Sequence, residues 1–255
     1  MRKTFYILII LMILAVSSYK VSFALFSDQA QSGNNTFAAA TSFPTPIPSI
    51  SPTPSISPTP SPNPSIANHL VISEVQIDGG LGDSEHDFIE LYNPTSSPID
   101  LNGHRLVSRT GNSSADNTIK SFTSTAIVPA HGFYLWARNS DASFSSSIGA
   151  DASTSASLTN SMSIALRNGS ENTGAIIDAL SWNNGATIGE GANVLAPGAD
   201  QSLERKALFA SDATSMTSGT DVTKGNGYDS DNNSTDFVLR TSSQPQNSSS
   251  ATESI

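Results

Sequence analysis

Side-chain oxygens recur at every second residue in one acidic segment near the end of the sequence. Asp229, Asp231 and Asn233 alternate along this segment, and Asp236 closes it with a further carboxylate. Hard cations such as Ca²⁺ take oxygen ligands from short acidic segments of this kind, so the four residues form a candidate calcium site. The segment differs from an EF-hand loop, because no glycine stands at its sixth position and no glutamate at its twelfth. Asp and Asn also favour turns, and a hydrated turn before a final strand is the alternative.

Other carboxylates lie in and around the first two predicted strands. A second acidic group precedes the second strand and could also bind a cation, but a solvated hairpin loop is the preferred interpretation: Asp78, Asp83, Glu85 and Asp87, with Glu90 as a further candidate. Glu74 and Glu90 are themselves flanked by apolar residues. They could pair with Arg105 or Arg167 across a sheet, but a carboxylate on a sandwich strand more often faces solvent, and we expect exposure.

The sequence offers no recognisable catalytic constellation, and we predict that the protein is not an enzyme. Its four histidines are scattered, without a His-x-x-x-His pair, and no Gly-x-Ser-x-Gly segment supplies a nucleophile. Paired carboxylates for glycoside hydrolysis need only meet in space, so the sequence leaves that reaction open. Trp136 and Trp182 could form a sugar-stacking platform, but at alternating strand positions they favour the core.

Short alternating segments separated by Gly, Pro, Asn and Asp predict an all-β fold, an antiparallel sandwich. The expected strands are 70–77, 88–92, 99–108, 119–122, 133–137, 163–167, 175–182, 202–206 and 236–240. The segments 88–92 and 99–108 flank a turn with two prolines and are expected to form a ribbon with one buried face. The long segments 140–159, 185–200 and 208–231 are interpreted as loops, which are often functional or disordered at such lengths.

Several of these segments carry a resemblance to a known family. The motifs are Ile-Ser-Glu-Val at 72–75, Phe-Ile-Glu-Leu-Tyr-Asn-Pro at 88–94, Ile-Asp-Leu-Asn-Gly-His-Arg-Leu at 99–106, Ile-Val-Pro-Ala-His-Gly-Phe-Tyr-Leu at 127–135, Ile-Ile-Asp-Ala-Leu-Ser-Trp at 176–182 and Gln-Ser-Leu-Glu-Arg at 201–205. In this order they resemble a lamin tail domain over roughly residues 70–240. The resemblance implies an immunoglobulin-like β-sandwich, whereas function does not follow from such a fold.

The first residues predict export. A basic head precedes an apolar run from Phe5 to Val16, which is shorter than a membrane-spanning helix needs. Residues 1–24 are therefore a signal peptide, or alternatively a retained N-terminal membrane anchor, and they engage the membrane at least during export. The polar segment 25–43 resembles the region after the signal in camelysin-like and biofilm-fibre precursors, which favours processing near Ala24.

Residues 44–66 form a proline-rich linker that contains nine of the fourteen prolines. Closely spaced prolines prevent helix and sheet and favour polyproline II, with a reach of about 70 Å for the tract. We interpret the tract as a stalk. The β-sandwich domain is expected over 67–247, followed by a disordered tail over 248–255.

The net charge of the chain argues against nucleic acid as a partner. A chain that starts near Leu25 would carry nine basic and 22 acidic residues, a net charge of −13. Direct binding of nucleic acid is not expected, because it relies on neutralisation of phosphates by Lys and Arg. The chain has no cysteine, so disulfide bonds do not stabilise it.

Together these observations predict an extracellular or cell-surface, non-catalytic interaction or adhesion module, stabilised by Ca²⁺ if the acidic segment binds it. Its partner would be a protein or a surface polymer. One alternative is an accessory domain of extracellular nuclease or phosphoesterase systems, which related domains accompany. Another is a matrix protein that self-associates through its sheet edges.

Overall fold

A computed structural model describes residues 66–80, 83–185 and 188–255. The signal or anchor segment (1–24), the polar segment (25–43) and the proline-rich tract up to residue 65 lie outside the described residues, and what the sequence predicts for them stays a prediction. Among the described residues, no helix has both the length and the apolar character needed to cross a membrane.

The described residues form twelve strands and three short helices. The strands are β1 (Val71–Gln76), β2 (Phe88–Tyr92), β3 (Ile99–Asp100), β4 (His104–Thr110), β5 (Asn117–Ser121), β6 (Ile127–Val128), β7 (Phe133–Arg138), β8 (Ala152–Thr154), β9 (Met162–Asn168), β10 (Ala175–Trp182), β11 (Ser202–Arg205) and β12 (Phe237–Arg240). The helices are α1 (Ala142–Ser147), α2 (Ala213–Ser218) and α3 (Asn233–Asp236).

The strands are arranged in two main sheets, as the prediction of an all-β immunoglobulin-like sandwich requires. One sheet has six strands in the order β12-β11-β1-β2-β7-β8, and the other has four in the order β10-β9-β4-β5. The pairs are antiparallel except for β7 with β8, which is parallel. A separate small sheet pairs β3 with β6. The predicted fold class is confirmed.

The predicted ribbon between segments 88–92 and 99–108 is wrong. β2 pairs with β1 and β7 in the six-stranded sheet, whereas β4 pairs with β5 and β9 in the other. The chain between them crosses from one sheet to the other, because Pro94 and Pro98 have no N–H group for a strand ladder. The buried Asn93 holds this crossing, and its side-chain amide donates to the carbonyls of Ser97 (2.9 Å) and Pro129 (3.0 Å).

The core between the sheets contains both tryptophans, which confirms their predicted packing role. Trp136 on β7 and Trp182 on β10 are completely buried in one cluster with aliphatic residues of both sheets. Each indole N–H has a partner, since Trp136 donates to the hydroxyl of Thr154 (3.1 Å) and Trp182 to the carbonyl of Thr159 (2.7 Å). Buried Trp usually needs such a partner, so the two rings contribute apolar burial without an unsatisfied donor.

The outer face of the six-stranded sheet is also covered. Val71, Tyr92 and Phe133 form an apolar patch there, against which Ile255 packs. A second patch consists of Phe88, Leu135 and Ala137, and it contacts Phe144 and Ile148 from the α1 region. As a result, every residue of β2 is buried, where a sandwich with one wet face would show alternation.

Two of the segments that the sequence predicts as loops contain regular structure. Segment 140–159 includes α1 and β8, and segment 208–231 includes α2. Each helix has only six residues, too few for a periodic apolar pattern, but the caps are visible locally. Asp141 accepts from the backbone N–H of Ser143, and Asp212 forms a capping box with Ser215.

The prediction of a disordered tail over 248–255 is wrong. Residues 244–255, which we call the strap, lie on the outer face of the six-stranded sheet. The hydroxyl of Tyr92 donates to the carbonyl of Glu253 (2.5 Å), and the N–H of Glu253 donates to the carbonyl of His131 (2.8 Å). Composition suggested disorder, but backbone hydrogen bonds and the packing of Ile255 on the sheet hold these residues.

Candidate functional site

Arg205 is a charged residue in the interior of the sandwich, where it links the two sheets. It ends β11 of the six-stranded sheet and is completely buried. Its Nη2 atom donates hydrogen bonds of 2.8 and 2.9 Å to the two carboxylate oxygens of Asp178 on β10 of the other sheet. Because a buried charge is costly unless it is paired and hydrogen-bonded, this ion pair fixes the position of β11 against β10.

The other donors of Arg205 are also used. Its Nε atom donates to the carbonyl of Ile72 (2.9 Å), and its Nη1 atom donates to the carbonyl of Tyr228 (3.1 Å). The N–H of Ile72 donates in turn to Asp178 (2.5 Å), at the point where β1 has a bulge. Burial alone would lower the pKa of Arg205, but the nearby carboxylates, Asp178 foremost, outweigh it and raise that pKa. Arg205 is therefore a permanent cation at the centre of the site.

Asp229 connects this buried pair to a histidine. Its Oδ1 atom lies 3.2 Å from Nη1 of Arg205, and its Oδ2 atom lies 3.4 Å from Nε2 of His69. Burial works to raise the pKa of Asp229, yet the hydrogen bond from His69 and the charge of Arg205 lower it to about 2. The same hydrogen bond raises the pKa of His69. These groups form a charged network that keeps Asp229 ionised.

The four residues of the candidate calcium site have different roles in the structure. Asp229 belongs to the Arg205 network, and Asp231 is exposed in the left-handed region with φ 56°. Asn233 is buried, and its amide oxygen accepts from the N–H of Ser181 (2.9 Å) while its amide nitrogen donates to the carbonyl of Ala179 (2.8 Å). These contacts leave the Asn233 amide engaged with the backbone of β10.

The carboxylate of Asp236 is also fully engaged in hydrogen bonds within the domain. Its carboxylate accepts from the hydroxyl of Ser230 (2.5 Å) and from the N–H groups of Ser230 (3.1 Å) and Asn232 (3.2 Å). One of its oxygens lies 3.8 Å from Nη1 of Arg205. Asn233 and Asp236 therefore stabilise the segment before β12, but they are buried in α3 and do not form the hydrated turn of the alternative.

A different carboxylate joins Asp229 and Asp231. Glu190, Asp229 and Asp231 place ligand oxygens within 4.8 Å of one another, and His69, Asp178 and Asp229 form a second such group. One oxygen of Glu190 accepts from the N–H of Ala179 (3.2 Å), whereas the other is buried without a hydrogen-bond partner. Burial and then the charge of Asp178 raise the pKa of Glu190 to about 9. This edge of the network suits either a bound proton or a hard cation.

The expectation that Glu74 and Glu90 face solvent is wrong. They lie opposite each other on β1 and β2, on the outer face of the six-stranded sheet, and both are buried. The hydroxyl of Ser202 donates to Glu74 (2.5 Å), and the hydroxyl of Ser73 donates to Glu90 (2.6 Å). The strap covers this face, and that cover is why two carboxylates on an outer face are inaccessible to water.

Burial raises the pKa of both members of this carboxylate pair. It raises the pKa of Glu74 to about 7, against hydrogen bonds and the charge of Arg240, which lower it. The pKa of Glu90 lies well above its usual value because of burial and then the charge of Glu74. Arg240 pairs with Glu204, and Glu253 of the strap adds a further carboxylate on this side. Neither Arg105 nor Arg167 pairs with the two glutamates, and Arg167 instead contacts Asp116 (2.7 Å).

The acidic group before the second strand divides into exposed and buried members. Asp83 is exposed, as the interpretation of a solvated loop predicts. Asp87 is buried, accepts from the N–H of Leu158 (2.8 Å) and has a pKa raised by burial to about 6. His86 stacks on Phe144 with ring centroids 4.1 Å apart and contacts Asp141 at 3.1 Å.

Sequence reasoning missed Arg205 and its partners. Arg205 lies 27 residues from Asp178 and 133 from Ile72, so no local spacing connects them. The sequence did contain one sign of a buried arginine, because Arg205 lies two residues after the apolar Leu203 and so on the same face of the strand. That alternation places Arg205 on the core face, where an arginine requires a carboxylate partner.

The comparisons with known proteins agree with this architecture over part of the chain. The family model described as Lamin Tail Domain matches residues 63–184. This range contains β1 to β10 but ends before β11, so Arg205, the acidic segment 229–236 and the strap lie outside it. The motif at 201–205 also lies outside, and the match is shorter than the resemblance over 70–240 implied. No curated protein matches the sequence.

Proposed function

Because residues 63–184 of this chain belong to the lamin tail domain family, we propose that the protein is a non-catalytic interaction module, exported and presented on its proline-rich stalk. Its partner is a protein or a polymer on a cell or matrix surface. The protein acts outside the cytoplasm, either released after signal cleavage or retained by its N-terminal segment.

One observation carries the non-catalytic part of this proposal: the buried charged groups are held by the fold itself. Arg205 uses its donors on Asp178 and on backbone carbonyls of two other segments. Glu74 and Glu90 accept from serine hydroxyls and from strap N–H groups. Groups that make these contacts stabilise strands and segments, which accounts for their burial without a substrate.

The stalk supports presentation at a surface. A polyproline II tract of 23 residues would reach about 70 Å, because each residue adds about 3.1 Å. Such a reach matters for a protein that contacts something distant from its point of attachment. The domain that follows carries most of the acidic residues, so the partner should be cationic or should bind through a divalent cation.

Calcium is the cation that this proposal includes. The residues that fit it are Glu190, Asp229 and Asp231, which would supply three carboxylate ligands at the outer edge of the Arg205 network. Because the pKa of Glu190 is raised to about 9, Ca²⁺ would displace a proton from this carboxyl group when it binds at neutral pH. A ligand that binds only the folded state at 100 times its Kd adds about 2.7 kcal/mol to the free energy of unfolding.

The calcium test is the unfolding midpoint of the full chain in millimolar Ca²⁺ and then in excess chelator. We expect a rise of about 5–11 °C in calcium, since 1 kcal/mol moves the midpoint of a domain this size by about 2–4 °C. The Asp231→Ala variant should lose the rise, whereas Asp83→Ala, which removes an exposed carboxylate elsewhere, should keep it. Equal midpoints in calcium and chelator would exclude the cation from the proposal and leave the interaction module standing.

The interaction itself is tested with beads that carry the full chain without residues 1–24. They should be retained saturably by cells of the producing organism or by polymer isolated from their surface, and the bound material should keep its mass. Beads that carry the Arg205→Ala variant serve as the control for a disrupted domain. Release of nucleotides or phosphate from nucleic acid in Mg²⁺ or Ca²⁺ would instead support the accessory role in nuclease or phosphoesterase systems.

A further inference from the structure

The strap crosses the outer face of the six-stranded sheet, and backbone N–H groups of the strap donate hydrogen bonds to three carboxylates of the domain. The N–H groups of Gln244, Gln246 and Ser248 donate to Glu74 on β1, Glu90 on β2 and Asp151 just before β8, at 3.1, 2.6 and 2.9 Å. Three strand spacings separate β1 from β8, or about 14 Å, and four extended residues span nearly the same distance. Three carboxylates thus accept the backbone N–H groups of every second residue of the strap between Gln244 and Ser248.

Both the main chain and the side chains of the strap contact the rest of the domain, since the hydroxyl of Ser248 also donates to Asp151 (2.5 Å) and the side chain of Gln244 accepts from Arg240 (2.8 Å). No residue from Gln244 to Ile255 is fully buried, and three of the strap's hydrogen bonds to carboxylates use backbone N–H groups. Pro245 stands between two of the donors, at a position whose N–H would point away from the sheet. Proline has no N–H, so it fits this position and prevents a further strand from pairing on the outside.

Two glycines make room for the far end of the strap. A Cβ atom at Gly225 would overlap the hydroxyl of Tyr92 and the carbonyl of Glu253, and one at Gly227 would overlap the side chain of Ile255. The N–H of Gly225 donates to the carbonyl of Ser254 (3.3 Å). The outer face thus forms a groove, and Gly225 and Gly227 leave room at one end of it for the backbone at Glu253 and the side chain of Ile255.

The strap is joined to β12 by a hinge of three residues, Thr241–Ser243, of which the first two are exposed. We propose that the groove also binds the strap of a second copy of this chain, so that two copies assemble by exchanging residues 244–255. Exchange preserves every strap contact and changes only the path of the hinge. This exchange does not depend on the proposed function. Many copies of a protein attached to one surface would, however, have the high local concentration that favours exchange between copies.

Hinge length decides between the closed monomer and the exchanged dimer. A short flexible connection gives the strap an effective concentration in the millimolar range at its own groove, so the monomer should dominate at micromolar protein. A hinge too short to span the distance reduces that effective concentration to nearly zero, while the groove of a partner stays accessible.

The experiment removes residues 241–243 from the full chain and measures the mass by sedimentation and light scattering. We expect dimers or longer assemblies at 10 µM, a concentration at which the unaltered chain should be monomeric, and an unfolding midpoint that rises with protein concentration. A matched variant with Gly-Ser-Gly inserted after Ser243 should stay monomeric. A folded monomer at 100 µM after the deletion would overturn the proposal.

A second measurement applies if the deletion variant does not fold. A chain that ends at residue 241 is mixed with a synthetic peptide of residues 242–255, and binding is measured by fluorescence anisotropy. The peptide should bind and raise the unfolding midpoint, and methylation of the Gln246 backbone nitrogen should weaken binding at least tenfold. Methylation at the exposed Thr252, whose backbone N–H donates no hydrogen bond to any described residue of the sheet, is the control. Absence of peptide binding, or equal loss from both methylations, would refute the exchange.

Discussion

Replacing Arg205 with alanine should destabilise the domain far more than replacing Arg105, a partly exposed arginine of the four-stranded sheet. The change removes the partner of Asp178, which is completely buried and accepts two hydrogen bonds from the guanidinium. It also leaves the carbonyls of Ile72 and Tyr228 without that donor. Contact with the ring of Phe237, 4.7 Å from the guanidinium carbon, is lost as well.

The magnitude follows from the burial of the pair. Breaking a buried ion pair by removing one partner costs about 3–5 kcal/mol, because the remaining charge is left unpaired in the interior. For a domain of this size, each kcal/mol lowers the unfolding midpoint by about 2–4 °C, so a loss of about 6–20 °C is expected. At the upper end, about 5 kcal/mol, the loss equals the whole stability of the least stable domains.

The assay is thermal and urea unfolding of matched variants. Arg105→Ala is the control, since Arg105 pairs with a half-exposed Glu171 at 3.6 Å, and it should change the free energy of unfolding by less than about 1 kcal/mol. A double variant, Arg205→Met with Asp178→Leu, should be more stable than Arg205→Ala because no buried charge is left unpaired. Equal midpoints for Arg205→Ala and Arg105→Ala would contradict the assignment of Arg205 as the link between the sheets.

The remaining predictions concern the outer groove and the acidic segment. The pKa values of Glu74 and Glu90 are raised in the folded state, so their contribution to stability is complete at low pH and is lost as the pH rises from about 4.5 through 7. The midpoint should therefore fall between pH 5 and pH 9, and substitution of both residues with glutamine should flatten that fall; an unchanged slope would argue against a proton held by the pair. Gly225→Ala should speed hydrogen exchange in the strap while Gly198→Ala, beside a flexible side chain, should not. Asn233→Ala should cost about 3 kcal/mol in urea unfolding through unsatisfied groups on β10, and a neutral result would show that its buried amide is dispensable.

The sequence was sufficient to predict the fold class and most strands. The segment 99–108, predicted as one strand, is divided between β3 and β4, and β6 and β8 were not predicted. Segments 88–92 and 175–182 were predicted with the bounds that β2 and β10 have, because their apolar residues are bounded by Gly, Pro and Asn. Which strands pair with one another was harder to predict from the sequence. Segments 88–92 and 99–108 are neighbours in sequence, yet the chain between them changes sheets, a choice that depends on the buried Asn93 and on distant carbonyls.

The candidate site was predictable only in part. Asp229 was singled out from its spacing, but its partners Arg205 and His69 lie 24 and 160 residues away and meet it only in the folded chain. Glu74 and Glu90 were expected in water, because sequence alone did not indicate that a polar segment rich in serine would fold back over them. That segment is held through its backbone, and backbone hydrogen bonds have no signature in side-chain composition.

The central claim, an interaction module held at a distance by its stalk, is tested most directly by surface attachment of three chains. One keeps residues 44–66, one lacks them, and one has a Gly/Ser segment of the same length, whose mean span is about 26 Å against about 70 Å for polyproline II. Attachment to cells or surface polymer should be strongest with the native tract, weaker with Gly/Ser and weakest with the deletion, while the unfolding midpoint of the domain stays the same. Equal attachment of all three chains would contradict the claim.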